Sequence, residues 1–220
     1  MINGVYPTHG IFHETIEITH GITQNFEIGF YLFNALATDG RSGYVGSHIR
    51  PRISAPDKWK LPFGLSLSGE VGYQKLQYSE DDWTLEIRPI IDKTIGKFYF
   101  SLNPTIDNSL RGMNKNEGFV FSPNIKTSYT INKLVAAGLE YYGSLGPFNR
   151  FSPWKEQDEQ LFIAADFDIS PVWELNMGYG FGLNNSTNAS ILKLILGKRI
   201  DWQEKKSKQS NPKTESTRFF

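Results

Sequence analysis

Several features are missing from this 220-residue sequence, and each absence narrows the possible functions. There is no cysteine, which excludes disulfides, thiolate chemistry and cysteine-ligated metals. No stretch of about 18 or more consecutive apolar residues occurs, so the sequence predicts no transmembrane helix. Net charge is also missing, because 23 basic residues balance 23 acidic ones, and nothing favours nucleic acid as a partner.

A secretory signal peptide is missing as well. Met1 to Gly10 contains neither a basic start nor an apolar stretch. Because the patterns described below predict an exported protein, we expect the N-terminus of this sequence to be truncated.

What the sequence does contain is a high proportion of aromatic residues, 14%, together with 20 glycines. This composition favours β-structure. Apolar and polar residues alternate over long stretches, as where Trp83, Leu85 and Ile87 interleave with Thr84 and Glu86. A period of two sustained in this way predicts strands with two unlike faces.

The alternation predicts about eleven strands with no helix between them. They lie near residues 11–20, 25–35, 43–55, 62–78, 83–92, 96–107, 118–129, 133–143, 159–169, 172–183 and 189–201. Their length matches the roughly 9–11 tilted residues that cross a bilayer, whereas strands of soluble proteins average about five or six. We therefore predict an all-β chain, an antiparallel up-and-down transmembrane β-barrel over residues 1–202, followed by a flexible polar tail at 203–220.

Most connections between these strands are alternately short and long, as in outer-membrane barrels with short periplasmic turns and longer outer loops. Two fit poorly, since Pro56–Lys60 is long for its side and Glu80–Asp82 is short. The short ones are Gly21–Gln24, Lys93–Ile95, Thr130–Asn132 and Ser170–Pro171. The longer ones are Ala37–Arg41, Asn108–Glu117 and Ser144–Asp158. Because bacterial barrels have an even strand number, we expect a twelve-stranded parent that lacks its N-terminal strand, with Gly4–Gly10 as the remnant of an outer loop.

Aromatic side chains fall near both ends of the predicted strands, where amphipathic rings gather at membrane interfaces. The tryptophans assigned to this girdle are Trp59, Trp83, Trp173 and Trp202. The competing interpretation is a soluble ligand-binding β-barrel, whose alternation is the same with the faces exchanged. Neither interpretation explains the mid-strand prolines on the apolar phase, which are Pro51, Pro89, Pro104 and Pro123.

The pattern over residues 11–202, together with the last strand from Leu192 to Ile200 and Trp202, resembles Gram-negative outer-membrane barrels. It is similar more loosely to small twelve-stranded porins and transport barrels. The resemblance implies location in the bacterial outer membrane, with lipid and the barrel-assembly machinery as partners. Members of this class typically end on an aromatic closing strand, whereas here a polar tail continues to Phe219 and Phe220.

The polar phase of the strands predicts which residues line the lumen. They are Glu17, Arg50, Arg52, Glu70, Glu86, Arg88, Lys126, Glu140, Asp166 and Glu174. Charges in such an enclosure must pair across strands or contact water. Two arrangements satisfy this requirement: a hydrated pore that selects solutes, and a plugged barrel filled by its own salt bridges.

Catalytic and metal motifs are weak. The segment from His13 to Glu17 superficially resembles a helical zinc motif, but it lies on a strand and lacks the second histidine. Ser47 and His48 point to opposite faces, so they cannot form part of a lipase triad. We therefore expect no enzymatic activity, no cofactor and no metal.

These observations predict an outer-membrane channel for the passive or selective passage of small solutes through a charged lumen. The alternative is a plugged structural or adhesion barrel, with the aromatic loop Ser144–Asp158 either exposed for adhesion or folded inward as a constriction. An outer-membrane lipase and a soluble barrel are the remaining alternatives.

Overall fold

The structure is a computed structural model, and it describes residues 11–37, 40 and 42–200. One sheet contains all of its strands. They are β1 (Ile11–Thr23), β2 (Phe26–Ala37), β3 (Ser42–Ser54), β4 (Gly64–Gln74), β5 (Asp81–Ile95), β6 (Phe98–Gly112), β7 (Val120–Thr130), β8 (Val135–Ser144), β9 (Gly146–Pro147), β10 (Asp158–Ser170), β11 (Trp173–Gly182) and β12 (Ser190–Lys198). Two single-turn 3-10 helices occupy Asp57–Trp59 and Trp154–Glu156. In this part of the chain no helix is long and apolar enough to cross a membrane.

Each long strand pairs antiparallel with its neighbour in sequence, and the two-residue strand β9 adds to β7. The prediction of an all-β chain with eleven long antiparallel strands is confirmed. At one end of the sheet, which we call the turn end, four of the five connections are tight turns, and the exception is the nine-residue β3–β4 connection that contains the first 3-10 helix. At the other end, the loop end, the connections have four residues or more, and the longest runs from β8 to β10.

The sheet curls toward its polar face. Lys193 on β12 contacts Glu140 on β8, although β10 and β11 lie between these strands. Three interstrand spacings amount to roughly 14 Å, which is too far for the two side chains to meet across a flat sheet. Arg50 on β3 likewise reaches Glu17 on β1. The polar face is therefore concave and the apolar face convex.

Strands β1 and β12 form the two edges of the curled sheet. Among the described residues, β1 pairs only with β2 and β12 only with β11, so the sheet has the form of a half-barrel. Because eleven long strands alternate in direction, both edge strands run from the loop end to the turn end and are parallel to each other.

Some strand bounds differ from those predicted. β4 ends at Gln74 rather than near residue 78, because Lys75 and Tyr78 close a turn in which the Tyr78 amide donates to the Lys75 carbonyl at 2.8 Å. β6 continues to Gly112 because its ladder with β5 extends to Asp81. Trp202 and the predicted tail 203–220 lie outside the described residues.

Three of the four mid-strand prolines, Pro89, Pro104 and Pro123, lie in one cross-strand row, and Pro51 lies two residues from that row. Pro104 on β6 faces Pro123 on β7. Since neither has an N–H to donate, the two form a non-hydrogen-bonded pair, and the backbone of Pro104 is directed toward β5. The β5–β6 ladder is interrupted there, between Ile87↔Ile106 and Ile91↔Leu102, at the level of Pro89. The β3–β4 ladder is interrupted at Pro51 in the same way.

Candidate functional site

The residues predicted to line a lumen all lie in the polar phase of their strands, on the concave face. Most of them belong to two clusters of side chains on this face, which also include residues outside the predicted set. The arginine cluster, on β1 to β5, comprises Glu17, Glu27, Arg50, Arg52, Glu86 and Arg88. The lysine cluster, on β7 to β12, comprises Lys126, Glu140, Asp166, Asn176 and Lys193.

In the arginine cluster, each guanidinium has one carboxylate partner. Arg50 Nη2 lies 2.6 Å from Glu17 Oε1, and the guanidinium of Arg50 also stacks over the Tyr31 ring at 4.9 Å. Arg88 Nη2 lies 2.7 Å from Glu86 Oε1. Arg52 contacts Glu27, which is not among the residues predicted to line the lumen.

Glu70 interacts with His48 rather than with an arginine. Its Oε1 lies 2.5 Å from His48 Nδ1, while His48 Nε2 lies 3.3 Å from the Gln74 amide nitrogen. The imidazole fits because Gly72 is its cross-strand neighbour on β4. A Cβ added to Gly72 would come within 1.7 Å of the ring, so only glycine leaves room for it.

Between the two clusters, near the loop end, the concave face contains a cavity of about 390 Å³. Its lining is rich in carboxylates, namely Glu70, Asp81, Glu86, Asp107 and Glu117. His48 also lines the cavity, and Asp107 accepts a hydrogen bond from Ser122 at 2.6 Å. The cavity would hold several water molecules or the polar end of a small solute.

At the centre of the lysine cluster, Lys126 and Glu140 are fully buried. Glu140 accepts from both Lys126 and Lys193, and Lys126 also lies 3.0 Å from Asp166. The amide of Asn176 donates to Asp166 at 2.8 Å. Charges buried to this extent are tolerated only when they are paired and hydrogen-bonded, as they are here.

Rings pack around the lysine cluster in positions that the alternation did not reveal. Phe162 lies on the concave face, where its ring occupies the space over Gly180. The Lys193 ammonium lies over the Phe162 and Tyr142 rings at 5.4 and 5.3 Å. The absence of a side chain at Gly180 on β11 therefore makes room for the neighbouring Phe162 ring.

Glu174 lies apart from both clusters, at the turn end, where it accepts from Arg199 at 2.9 Å. Other concave-face residues that the prediction did not include are fully buried in mid-strand: Ser68, Asn103 and Thr105. They are neutral and small, and alternation alone does not distinguish them from solvated strand residues.

Three of the predicted girdle tryptophans are described, and all have exposed rings on or beside the apolar face. Trp59 and Trp173 lie at the turn end and Trp83 at the loop end. The Trp83 ring contacts Tyr73 at 5.6 Å, and at the opposite end Phe98 contacts Tyr129 at 5.0 Å.

The aromatic loop between β8 and β10 lies against the convex face. Phe148 and Phe151 stack on Phe121, with ring centroids 5.2 and 6.4 Å away, and Phe121 belongs to the apolar phase of β7. The alternative in which these rings fold inward as a constriction is therefore wrong. Backbone bonds hold the loop against β7 and the residue before it: the Leu145 amide donates to the Phe121 carbonyl and the Phe148 amide to the Phe119 carbonyl, both at 2.9 Å.

One further carboxylate, Glu159 on β10, is fully buried in the apolar phase at the loop end. It accepts from the Tyr141 hydroxyl, and its backbone amide donates to Thr187 at 2.9 Å. The sequence pattern did not identify it, because the loop residues that cover it are distant in sequence.

Among the described residues, no group of three or more histidine, aspartate or glutamate side chains is placed to hold a metal ion. The geometry instead offers charged and hydroxyl groups for binding polar solutes. No protein-family model matches the chain, and no curated protein matches it at a significant level.

Proposed function

We propose that this chain is an outer-membrane β-barrel that acts as a channel for small hydrophilic solutes. The observation that carries the proposal is the division of one curled sheet into an apolar convex face and a concave face lined with ion pairs around an open cavity.

The convex face supports lipid as its surroundings. Large apolar side chains remain exposed in mid-strand on every long strand, among them Ile49, Leu67, Leu102, Ile125, Ile163 and Leu194. An exposed apolar surface that extends over all the long strands is typical of a membrane or protein contact. The aromatic rings at both ends of the strands are those expected at bilayer interfaces.

A closed barrel needs one more strand. The edges β1 and β12 are parallel, so a strand inserted between them and running from the turn end to the loop end would be antiparallel to both. We infer that the functional barrel contains such a strand, which gives the even number typical of bacterial barrels. Its position before β1 stays a prediction.

The plugged barrel is the second candidate, and the lysine cluster favours it. That cluster crosses the concave face from β7 to β12 with paired and largely buried side chains. The cavity lies beside the arginine cluster, so we place the solute path along β3 to β7.

The first test is expression of the chain with an export signal, followed by membrane fractionation and a gel with and without boiling. The purified protein is then inserted into planar bilayers in a KCl gradient. The informative variant is Glu86→Gln, which removes a cavity carboxylate. Its matched control is Glu14→Gln on β1, whose carboxylate is exposed and bonds the convex-face residue Asn34.

We expect an outer-membrane protein with a heat-dependent gel shift, single-channel steps and a reversal potential that changes in Glu86→Gln but not in Glu14→Gln. A membrane protein that passes no current would support the plugged barrel. A soluble periplasmic protein without a heat shift would overturn the membrane assignment.

A further inference from the structure

We propose that the arginine cluster holds an oxyanion-binding site centred on Ser68, which takes solutes bearing a carboxylate or phosphate group. This deepens the proposed channel function by naming its substrate class, and the binding itself is measurable without transport.

The site is built by one cross-strand row. Ser68 on β4 pairs with Arg52 on β3 and with Arg88 on β5. Directly opposite residues of an antiparallel sheet have Cβ atoms about 5 Å apart, so the hydroxyl stands between two guanidinium-bearing side chains on the same face.

Ser68 is only 1% exposed, and its Oγ has no hydrogen-bond partner among the described residues. A buried hydroxyl without a partner is unfavourable, and a bound water or ion that accepts from it would remove the penalty. The neighbouring hydroxyl on the same face, Ser66, differs because it donates to Ser54 at 3.0 Å.

The arginines also have N–H groups that are not used in hydrogen bonds. Within the described part of the chain, the buried Nε atoms of Arg50, Arg52 and Arg88 make no hydrogen bond. Arg52 Nε lies 3.2 Å from Glu27 Oε1, which is an ion-pair contact without hydrogen-bond geometry. A guanidinium carries five N–H donors, and one carboxylate partner does not use them all.

The chemistry of this row selects an anion. Guanidinium groups only donate, and the Ser68 hydroxyl has a free proton to donate with them. Two arginines and a hydroxyl match the oxygens of a carboxylate or phosphate, which arginine binds in a two-point fashion. Side chains of Arg52 and Arg88 retain exposed fractions of 17% and 21%, so their ends reach the open part of the concave face.

The experiment titrates the full chain, folded in detergent micelles, with inorganic phosphate and separately with acetate, by calorimetry and by ³¹P line broadening for phosphate. Variants are Ser68→Ala, Arg88→Gln and the conservative Ser68→Thr. Ser66→Ala is the matched control, and the heat-dependent gel shift verifies folding of each protein.

We expect saturable binding of at least one of the two anions, weakened about tenfold in Ser68→Ala and in Arg88→Gln. Ser68→Thr, which keeps the hydroxyl, and Ser66→Ala should bind like the wild type. The relative strength of phosphate and acetate then assigns the solute class.

No saturable binding by the wild type, or equal binding by wild type and Ser68→Ala, would overturn the site. Binding without conductance would leave the site standing and remove the channel. Conductance without anion binding would overturn the anion site and leave the proposed channel standing.

Discussion

Lys126 and Glu140 face each other across neighbouring strands, with 2.9 Å between Nζ and Oε1, and neither side chain is more than 1% exposed. Glu140 also contacts Lys193, so it bridges the two ammonium groups, while Asp166 places a second negative charge 3.0 Å from Lys126. The stability of this half of the sheet depends on the Glu140 carboxylate.

Glu140→Gln should destabilise the folded protein by about 3–5 kcal/mol, because two buried lysines lose their main counter-charge. The measurement is urea unfolding in detergent micelles, followed by tryptophan fluorescence. The control is Arg199→Gln, which breaks the exposed pair with Glu174 and should change stability by less than about 1 kcal/mol. Equal effects of the two substitutions would contradict a dominant role for the buried network.

Gly72→Ala should destabilise by about 1–3 kcal/mol, since the added methyl group meets the His48 ring and must displace it. Gly69→Ala on the same strand is the control, because the nearest atom to its added Cβ is 4.0 Å away. Thermal midpoints of the heat-dependent gel shift compare the two. If Gly72→Ala were as stable as Gly69→Ala, the imidazole would not occupy the position over Gly72.

Leu102→Lys on the convex face should impair folding into lipid vesicles by about 2–4 kcal/mol, the range for a charge at the bilayer midplane. Leu134→Lys, in the turn between β7 and β8, places the same charge at the turn end of the sheet and should change the free energy of folding only slightly. Folding yields against urea concentration in vesicles provide the measurement. A neutral Leu102→Lys would mean that water, not lipid, covers this face.

Replacing Phe148 and Phe151 together by alanine should release the aromatic loop from Phe121, because each ring contact contributes about 0.5–1.5 kcal/mol. The readout is the rate of tryptic cleavage at Arg150, which we expect to rise while the remaining strands stay resistant. Phe63→Ala, at the turn end, removes an exposed ring far from the loop and serves as control. An unchanged cleavage rate would show that backbone bonds alone hold the loop.

The strands and their two faces were predictable because the side-chain period of two appears directly in the sequence, as at Trp83 to Ile87. The contacts between charged side chains on the concave face could not be predicted in this way. Lys193 meets Glu140 only because the sheet curls, and curvature is a property of many strands together. Burial of Ser68 and Glu159 was hidden for a similar reason, since the groups that cover them come from other strands and loops.

The candidate site, like the fold, was predictable only in part. The charged residues of the polar phase could be named from the sequence, but their grouping into an arginine cluster and a lysine cluster depends on register. The pairing of Ser68 with Arg52 and Arg88 is one such register relationship, and a shift of β4 by one residue would send Ser68 to the opposite face, away from both arginines.

The row of prolines also gives the wall a mechanical property. Where Pro51, Pro89 and Pro104 interrupt the ladders, neighbouring strands are joined by fewer backbone bonds than above or below that level. We therefore expect bending to concentrate at these two breaks, between β3 and β4 and between β5 and β6, next to the arginine cluster. Amide hydrogen exchange should be faster there than along the uninterrupted β4–β5 and β6–β7 ladders.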